Sequence, residues 1–279
     1  MRKSIYKTPA ELVAMVPAGR ITALALDAVA EAVRPGVTTL ELDAIAERVV
    51  REGGAVPNFA LVPGYRHTIC ASVDDAVVHG IPNDKPLEAG QLVSIDAGAM
   101  FEGWNGDSAR TFVVPGEAAD TNTVADGSRL SEACERSLWA GIAKLATARH
   151  LAEVGAAVEE SIEQFGDYGI LEDFAGHGIG RSMHEEPTVH NIRVFGRGPV
   201  VKPGLAICIE PMITLGGPDV VIDDDDWTVR SADGSLGAHW EHTILVHADG
   251  IWVSTAHDGG AAGLEPFGVV PALPAGVRA

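Results

Sequence analysis

The sequence predicts an α/β chain of the α+β kind, built from two related halves. Two observations carry this. Apolar residues recur at helical spacing in four segments, with short apolar runs bounded by Gly and turn residues reading as strands among and after them. The first part of the chain is also echoed in the second.

Thr8-Pro9 opens the first helix, expected to run through roughly residue 33. Pro fits a first turn, and Leu12, Val16, Ile21, Leu24 and Val29 follow an approximately helical spacing. Arg34-Pro35-Gly36 stops it. Thr38 with Glu41 is a capping-box pattern that starts a second helix, to about Arg51. Residues 55–85, rich in Pro, Gly and polar side chains, read as loops and short strands. Residues 91–98 and 108–114 read as strands joined by a turn containing Gly103, Asn105 and Gly106. Residues 127–147 and 150–165 read as helices, and 205–210 and 241–247 as strands. The end of the chain is rich in Gly, Ala and Pro. The expected division is a single domain over 1–255 and a peripheral or flexible tail over 256–279.

The echo lies in spacing. Gly90 stands six residues before Asp96 in GQLVSID, and Gly204 six before Glu210 in GLAICIE. Glu41-Leu42-Asp43-Ala44 near the start of one helix is matched by Glu153-Val154-Gly155-Ala156 near the start of another, and the two offsets, 114 and 112 residues, nearly agree. So short a match also arises by chance between amphipathic helices and apolar strands. Read as duplication, it puts an acid on the same strand of each half and a cleft between them.

Bulk properties narrow the function. The chain has 279 residues and is 46% hydrophobic, enough for a core. It has no uninterrupted apolar run of about 18 residues, so no membrane span is expected. MRKSIYKTPAEL lacks the apolar centre of a secretory signal. Cys70, Cys134 and Cys208 are scattered and odd in number, which argues for a reducing cytoplasm over a disulfide framework. A net charge of −19 disfavours nucleic-acid binding, which needs clustered Lys and Arg. The run Asp223 to Asp226 lacks the alternation and turn glycine of an EF-hand loop and reads as a solvated loop.

Five residues carry the chemistry: Asp96 in SIDAG, Asp107 in NGDSARTF, His177 in AGHGIG, Glu210 in CIEPM and Glu241 in EHTILV. Four carboxylates and one imidazole make a hard, oxygen-rich set suited to a pair of divalent ions. Asp96 is expected to end one strand and Asp107 to open the next, side by side across a hairpin. Such acids repel unless cations compensate them. Either aspartate alone would read as a strand-end or turn residue. Glu210 ends an apolar strand and Glu241 begins one, where an uncompensated carboxylate is costly. Glycines flanking His177 leave its ring accessible. His79, before a turn in VVHGIP, and His184 in MHEEP would each alone read as ordinary loop histidines; near the acids, His79 could exchange a proton near neutral pH.

In family order, the blocks SVDDAVVHGIP, VSIDAGA, GDSARTF, GHGIGRSMHEEP, IEPM and EHTI resemble the type I methionine aminopeptidases, from KTPAEL to about residue 255. The resemblance implies the pita-bread fold, two pseudo-symmetric halves whose curved antiparallel sheet, flanked by helices, holds two metals. It implies Asp107 and Glu241 as bridging ligands, Asp96 on one ion, and His177 and Glu210 on the other. Glu210 would also shuttle a proton, and His79 and His184 would contact the substrate and the tetrahedral intermediate. The methionine slot would include Tyr65, Cys70, Met183 and Trp227, with core packing the plainer expectation for nearby Phe59. Met183 stands where well-known members carry Phe, which bears on pocket width.

The implied activity is removal of N-terminal methionine from nascent proteins and peptides, favouring a small second residue. The cofactors are two divalent ions (cobalt, manganese, iron(II) or zinc). The implied protein is a cytoplasmic monomer that meets the ribosome transiently and binds neither nucleic acid nor membrane. Two other readings stand beside it. Aminopeptidase P or prolidase uses a similar ligand set but usually carries an additional N-terminal domain. A non-catalytic pita-bread peptide-binding module usually loses the ligands.

Overall fold

The computed structural model describes residues 4–117 and 121–277. Helix α1 (Pro9–Ala32) starts at Thr8, whose hydroxyl accepts from the Glu11 amide while the Glu11 carboxylate accepts from the Thr8 amide. Thr38 and Glu41 make the same reciprocal cap on α2 (Thr39–Glu52), as the sequence predicts. By length and composition alone α1 could cross a bilayer, contrary to the expectation that no segment qualifies. It is instead a core helix: Ala25, Leu26 and Val29 are buried against α2 and the first sheet.

That sheet is centred on the strand Leu92–Phe101. It pairs antiparallel with Trp104–Val113 along its whole length, and with Ile69–Val73 and Val56–Pro57. The hairpin is longer than expected. Phe101 pairs with Trp104, and the loop is only Glu102 and Gly103, with φ of 50° and 75°. Left-handed geometry at both loop positions is that of a type I′ turn, whose twist matches the flanking strands. Asn105 and Gly106 therefore belong to the strand, and Asp96 and Asp107 sit mid-strand rather than at strand ends. Gly106 has a packing reason: a Cβ there would lie 2.7 Å from the backbone nitrogen of Gly19 on α1.

The second half repeats the plan. Helices α3 (Thr121–Leu145) and α4 (Ala152–Phe165) cover a five-stranded antiparallel sheet. Its order is Gly250–Val253, His242–His247, Ala206–Ile209, Gly176–Gly178, Glu185–Val189. Leu138, Ile142 and Val158 pack on Ile207, Ile209 and Ile244 in its core. α2 and α4 occur where the sequence echo places its two helices, and Asp96 lies within Leu92–Phe101 while Glu210 directly follows Ala206–Ile209. α3 starts ahead of the expected residue 127.

Strand Trp104–Val113 joins the halves. Ala109 and Glu241 exchange backbone hydrogen bonds of 3.3 and 3.0 Å. The Thr111 hydroxyl donates to the His239 carbonyl at 2.8 Å and accepts from the His239 amide at 3.0 Å. The Thr243 hydroxyl accepts from the Asp107 amide at 3.0 Å and donates to the Asp107 carbonyl at 2.8 Å. Residues 264–272 pack on the second half: Leu264 is fully buried, and the Ala272 amide donates to the Ile251 carbonyl at 2.9 Å.

The contact of Gly106 with α1 predicts that Gly106→Ala destabilises the protein by about 1–3 kcal/mol, the usual cost of overpacking. Urea denaturation measures it, and a loss below about 0.5 kcal/mol would mean that α1 steps back freely.

Candidate metal centre

Strand register brings the two aspartates to one face. Asp96 opposes Ala109 and Asp107 opposes Gly98, so the acids are diagonal neighbours whose side chains emerge on the same side. Glu241, hydrogen-bonded through its backbone to Ala109, lies beside them. One carboxylate oxygen from each of Asp96, Asp107 and Glu241 falls within 4.8 Å of the others. Glu210 leaves the end of Ala206–Ile209, and the Asn191 amide side chain donates to its carbonyl at 3.0 Å. His177, mid-way along Gly176–Gly178, points its Nε2 at Glu210 Oε1, 3.5 Å away. All five residues singled out in the sequence thus meet in one place.

Burial and mutual repulsion dominate the electrostatics of the acids. Burial pushes Asp96 up to about 7, with Glu210 adding repulsion and His239 opposing it. Burial likewise lifts Glu210 to about 7 against the pull of His177. Asp107 and Glu241 are also raised well above the ordinary carboxylate range, by burial and then by the neighbouring acids. Burial depresses His177. Asp96 Oδ1, Asp107 Oδ1 and Glu241 Oε1 are buried without a hydrogen-bond partner. Buried polar atoms are rarely left so, and divalent cations satisfy all three at once. His177 fits too. Its Nδ1 lies 3.0 Å from the Gly178 carbonyl, which can only accept, so Nδ1 carries the proton and the Nε2 lone pair is free for an ion.

The cluster floors a cavity of about 710 Å³. His79 and His184 line it. The His184 ring meets that of His177 edge-on at 4.4 Å. His79 is held at φ 58°, a left-handed conformation uncommon outside Gly and worth a functional explanation. Burial lowers it to about 4, keeping the imidazole neutral at physiological pH. Tyr65, Cys70, Met183 and Trp227 form one apolar patch on the cavity wall, together with Phe59. The Tyr65 and Trp227 rings are 5.0 Å apart, and the Tyr65 hydroxyl is satisfied by the Ile69 carbonyl at 2.7 Å. The acidic run Asp223 to Asp226 stays outside this cavity. There Asp223 pairs with Arg230 at 2.7 Å, and Asp225 accepts from the Thr228 amide at 2.7 Å.

Among the cavity residues that escape the sequence reading, two stand beside its named histidines and acids. Phe174 packs edge-on against His79 at 6.0 Å. His239, buried, places Nε2 3.6 Å from Glu210 Oε2. A signal for His239 exists in the sequence: it stands two residues before Glu241 in AHWEH, on the same side of an extended chain.

Residues 14–248 match the M24 metallopeptidase family. The chain is 46% identical over 250 residues to methionine aminopeptidase 1 of Mycobacterium tuberculosis, covering 88% of this chain and 92% of that one. It is 38% identical over 251 residues to methionine aminopeptidase 1 of Bacillus subtilis, covering 90% and 98%. The crystal structure of methionine aminopeptidase from Rickettsia prowazekii superposes with a TM-score of 0.84 at 34% identity, covering 90% of this chain and 99% of that chain. Prolidase from Pyrococcus furiosus, at TM-score 0.65 and 24% identity, shares the fold alone. The chain therefore belongs to metallopeptidase family M24, with the pita-bread fold and a metal-dependent peptidase chemistry. Within that family it groups with the methionine aminopeptidases.

The raised Asp107 gives a signed pH test. A carboxyl held above its ordinary value binds more protons folded than unfolded, so its contribution to stability falls as pH rises above the unfolded value. In chelator, Asp107→Asn should gain stability relative to wild type between about pH 5 and 8, by at most about 1.4 kcal/mol per pH unit. Denaturation at both pH values reads this, and a gap independent of pH would contradict the assigned burial.

Proposed function

We propose that this chain removes the N-terminal methionine of nascent proteins and peptides, favouring a small second residue. Asp107 and Glu241 would bridge two divalent ions, Asp96 would chelate one, and His177 and Glu210 would bind the other. The observation that carries the reading is the junction of the acid cluster with the apolar patch of Tyr65, Cys70, Met183 and Trp227 in one cavity. The names of the relatives supply the methionine preference. An unbranched thioether packs well on sulfur and aromatic edges, so the patch suits methionine.

Bound ions would supply Lewis acidity, a reactive water at neutral pH and a place for a free, neutral N-terminal amine that a blocked amine cannot fill, so action would be restricted to chain ends. The residues of the chain do the rest. Glu210 would take a proton from the water and pass it to the leaving amine. Neutral His184 donates to the developing oxyanion, and neutral His79 holds the scissile or leaving nitrogen. Burial lowers both imidazoles, with His79 adding to the effect at His184 and His239 to that at His79.

The reading extends to a cytoplasmic monomer that meets the ribosome transiently. Cobalt, manganese, iron(II) and zinc all suit a mixed oxygen and nitrogen set. An X-Pro peptidase is the weaker reading, because likeness on that side is limited to the fold.

Peptide panels separate the two. With each metal in turn, Met-Ala-X should be cleaved and X-Pro spared, and the reverse would refute the assignment. His79→Ala should lower kcat by about 10²-fold or more with metal content unchanged. Equal loss of both would defeat the assignment of His79 to the substrate nitrogen.

A further inference from the structure

His239 belongs neither to the five-residue ligand set nor to the two imidazoles assigned to substrate. Its ring is nevertheless buried in the site, with Nε2 lacking any hydrogen-bond partner. That atom lies 3.6 Å from Glu210 Oε2, while His177 Nε2 lies 3.5 Å from Glu210 Oε1. Glu210 is thus flanked by two imidazoles, one at each carboxylate oxygen. They are not equivalent. The Nδ1 of His177 is committed to the Gly178 carbonyl, which leaves its Nε2 as a lone pair for an ion. His239 has no such commitment at Nε2, and the nearest complement to a carboxylate oxygen is an N–H.

Its backbone is fixed from both halves of the fold. Thr111 holds the amide and carbonyl of His239 at 3.0 and 2.8 Å, and His239 pairs with Met212 across Gly237–His239 and Met212–Thr214. The ring therefore projects from a rigid strand, beside the residue that follows Ala206–Ile209 and carries the proton.

We propose that His239 is a positioning residue for Glu210. Its Nε2–H donates to Glu210 Oε2 and orients the carboxylate, so that Glu210 serves as ligand and proton carrier without swinging away. This rests on the ligand set proposed above. A small inward movement of either side chain closes 3.6 Å to hydrogen-bonding distance. Partners of this kind orient metal-bound groups, and losing one typically costs about 10–100-fold in metal affinity.

The test compares His239→Ala, His239→Gln and His239→Asn with wild type. Divalent-ion binding is read by calorimetric titration with manganese and cobalt alone, and kcat and KM on Met-Ala-X separately. His239→Ala should bind the same number of ions with about 10-fold or more weaker affinity, and lose about 10-fold in kcat with KM within about twofold. His239→Gln, whose amide nitrogen reaches the place of Nε2, should recover most of both. His239→Asn, whose amide reaches only the place of Nδ1, should not. If His239→Ala does not fold, the contrast between Gln and Asn still decides the matter. Ala within about twofold of wild type in affinity and kcat would overturn the proposal, as would Gln no better than Asn. Loss of a whole equivalent of ion in both Ala and Gln would also overturn it, by making His239 a ligand. Failure of the wild-type protein to bind divalent ions would instead overturn the ligand set itself.

Discussion

Four carboxylates gathered in one cavity, Asp107 and Glu241 buried and Asp96 and Glu210 half-buried, are the constraint on which the site depends. No folded protein gathers such groups without compensation, because each is destabilised by loss of water and again by its neighbours. Here the compensation from within the chain is only partial: imidazoles at His177 and His239 face Glu210, while oxygens of Asp96, Asp107 and Glu241 remain unpaired. The cluster is built for charge from outside, and divalent cations are the charge that hard oxygen donors select.

Holding that cluster against its own repulsion requires a rigid frame. The frame is the stitching of Trp104–Val113 to the segment 239–243, where backbone and threonine hydroxyls alternate as partners. Thr111 and Thr243 satisfy both a donor and an acceptor of the opposite strand, so the acids on either side cannot slide relative to one another. Helix α1 presses onto this seam through a close backbone approach, Gly19 against Gly106, and α3 packs through its side chains on the second half. Stability and site geometry are thereby the same set of contacts.

Function follows from adjacency. The apolar patch beside the acids is lined by residues that reach it from separate parts of the chain, Tyr65 and Cys70 from the first half and Met183 and Trp227 from the second. Substrate chemistry and side-chain selection are therefore decided across the junction of the halves, the place where a duplicated fold leaves a cleft. The left-handed backbone of His79, followed by a glycine whose Cβ would lie 2.4 Å from the Ala71 carbonyl oxygen, aims an imidazole into that cleft at a local conformational cost.

Much of this was legible in the chain alone. Thr38 with Glu41 marked a helix start because capping is local, and the five ligand candidates stood out because acids next to apolar strands violate the ordinary pattern. The echo of Gly90 to Asp96 in Gly204 to Glu210 reported the duplication. Local chemistry misjudged the hairpin. Asn105 and Gly106 look like turn residues, and only the fit of Gly106 against Gly19 explains why a glycine sits inside a strand. Phe174 and His239 were missed because neither breaks a local rule. A histidine near a strand is unremarkable until the opposite half of the fold brings Glu210 to its ring. Residue types and spacing determined which groups can do chemistry, since capping, periodicity and ligand hardness are properties of short stretches. Which groups meet was decided only by tertiary structure, because strand register and the seam between halves join residues more than a hundred positions apart.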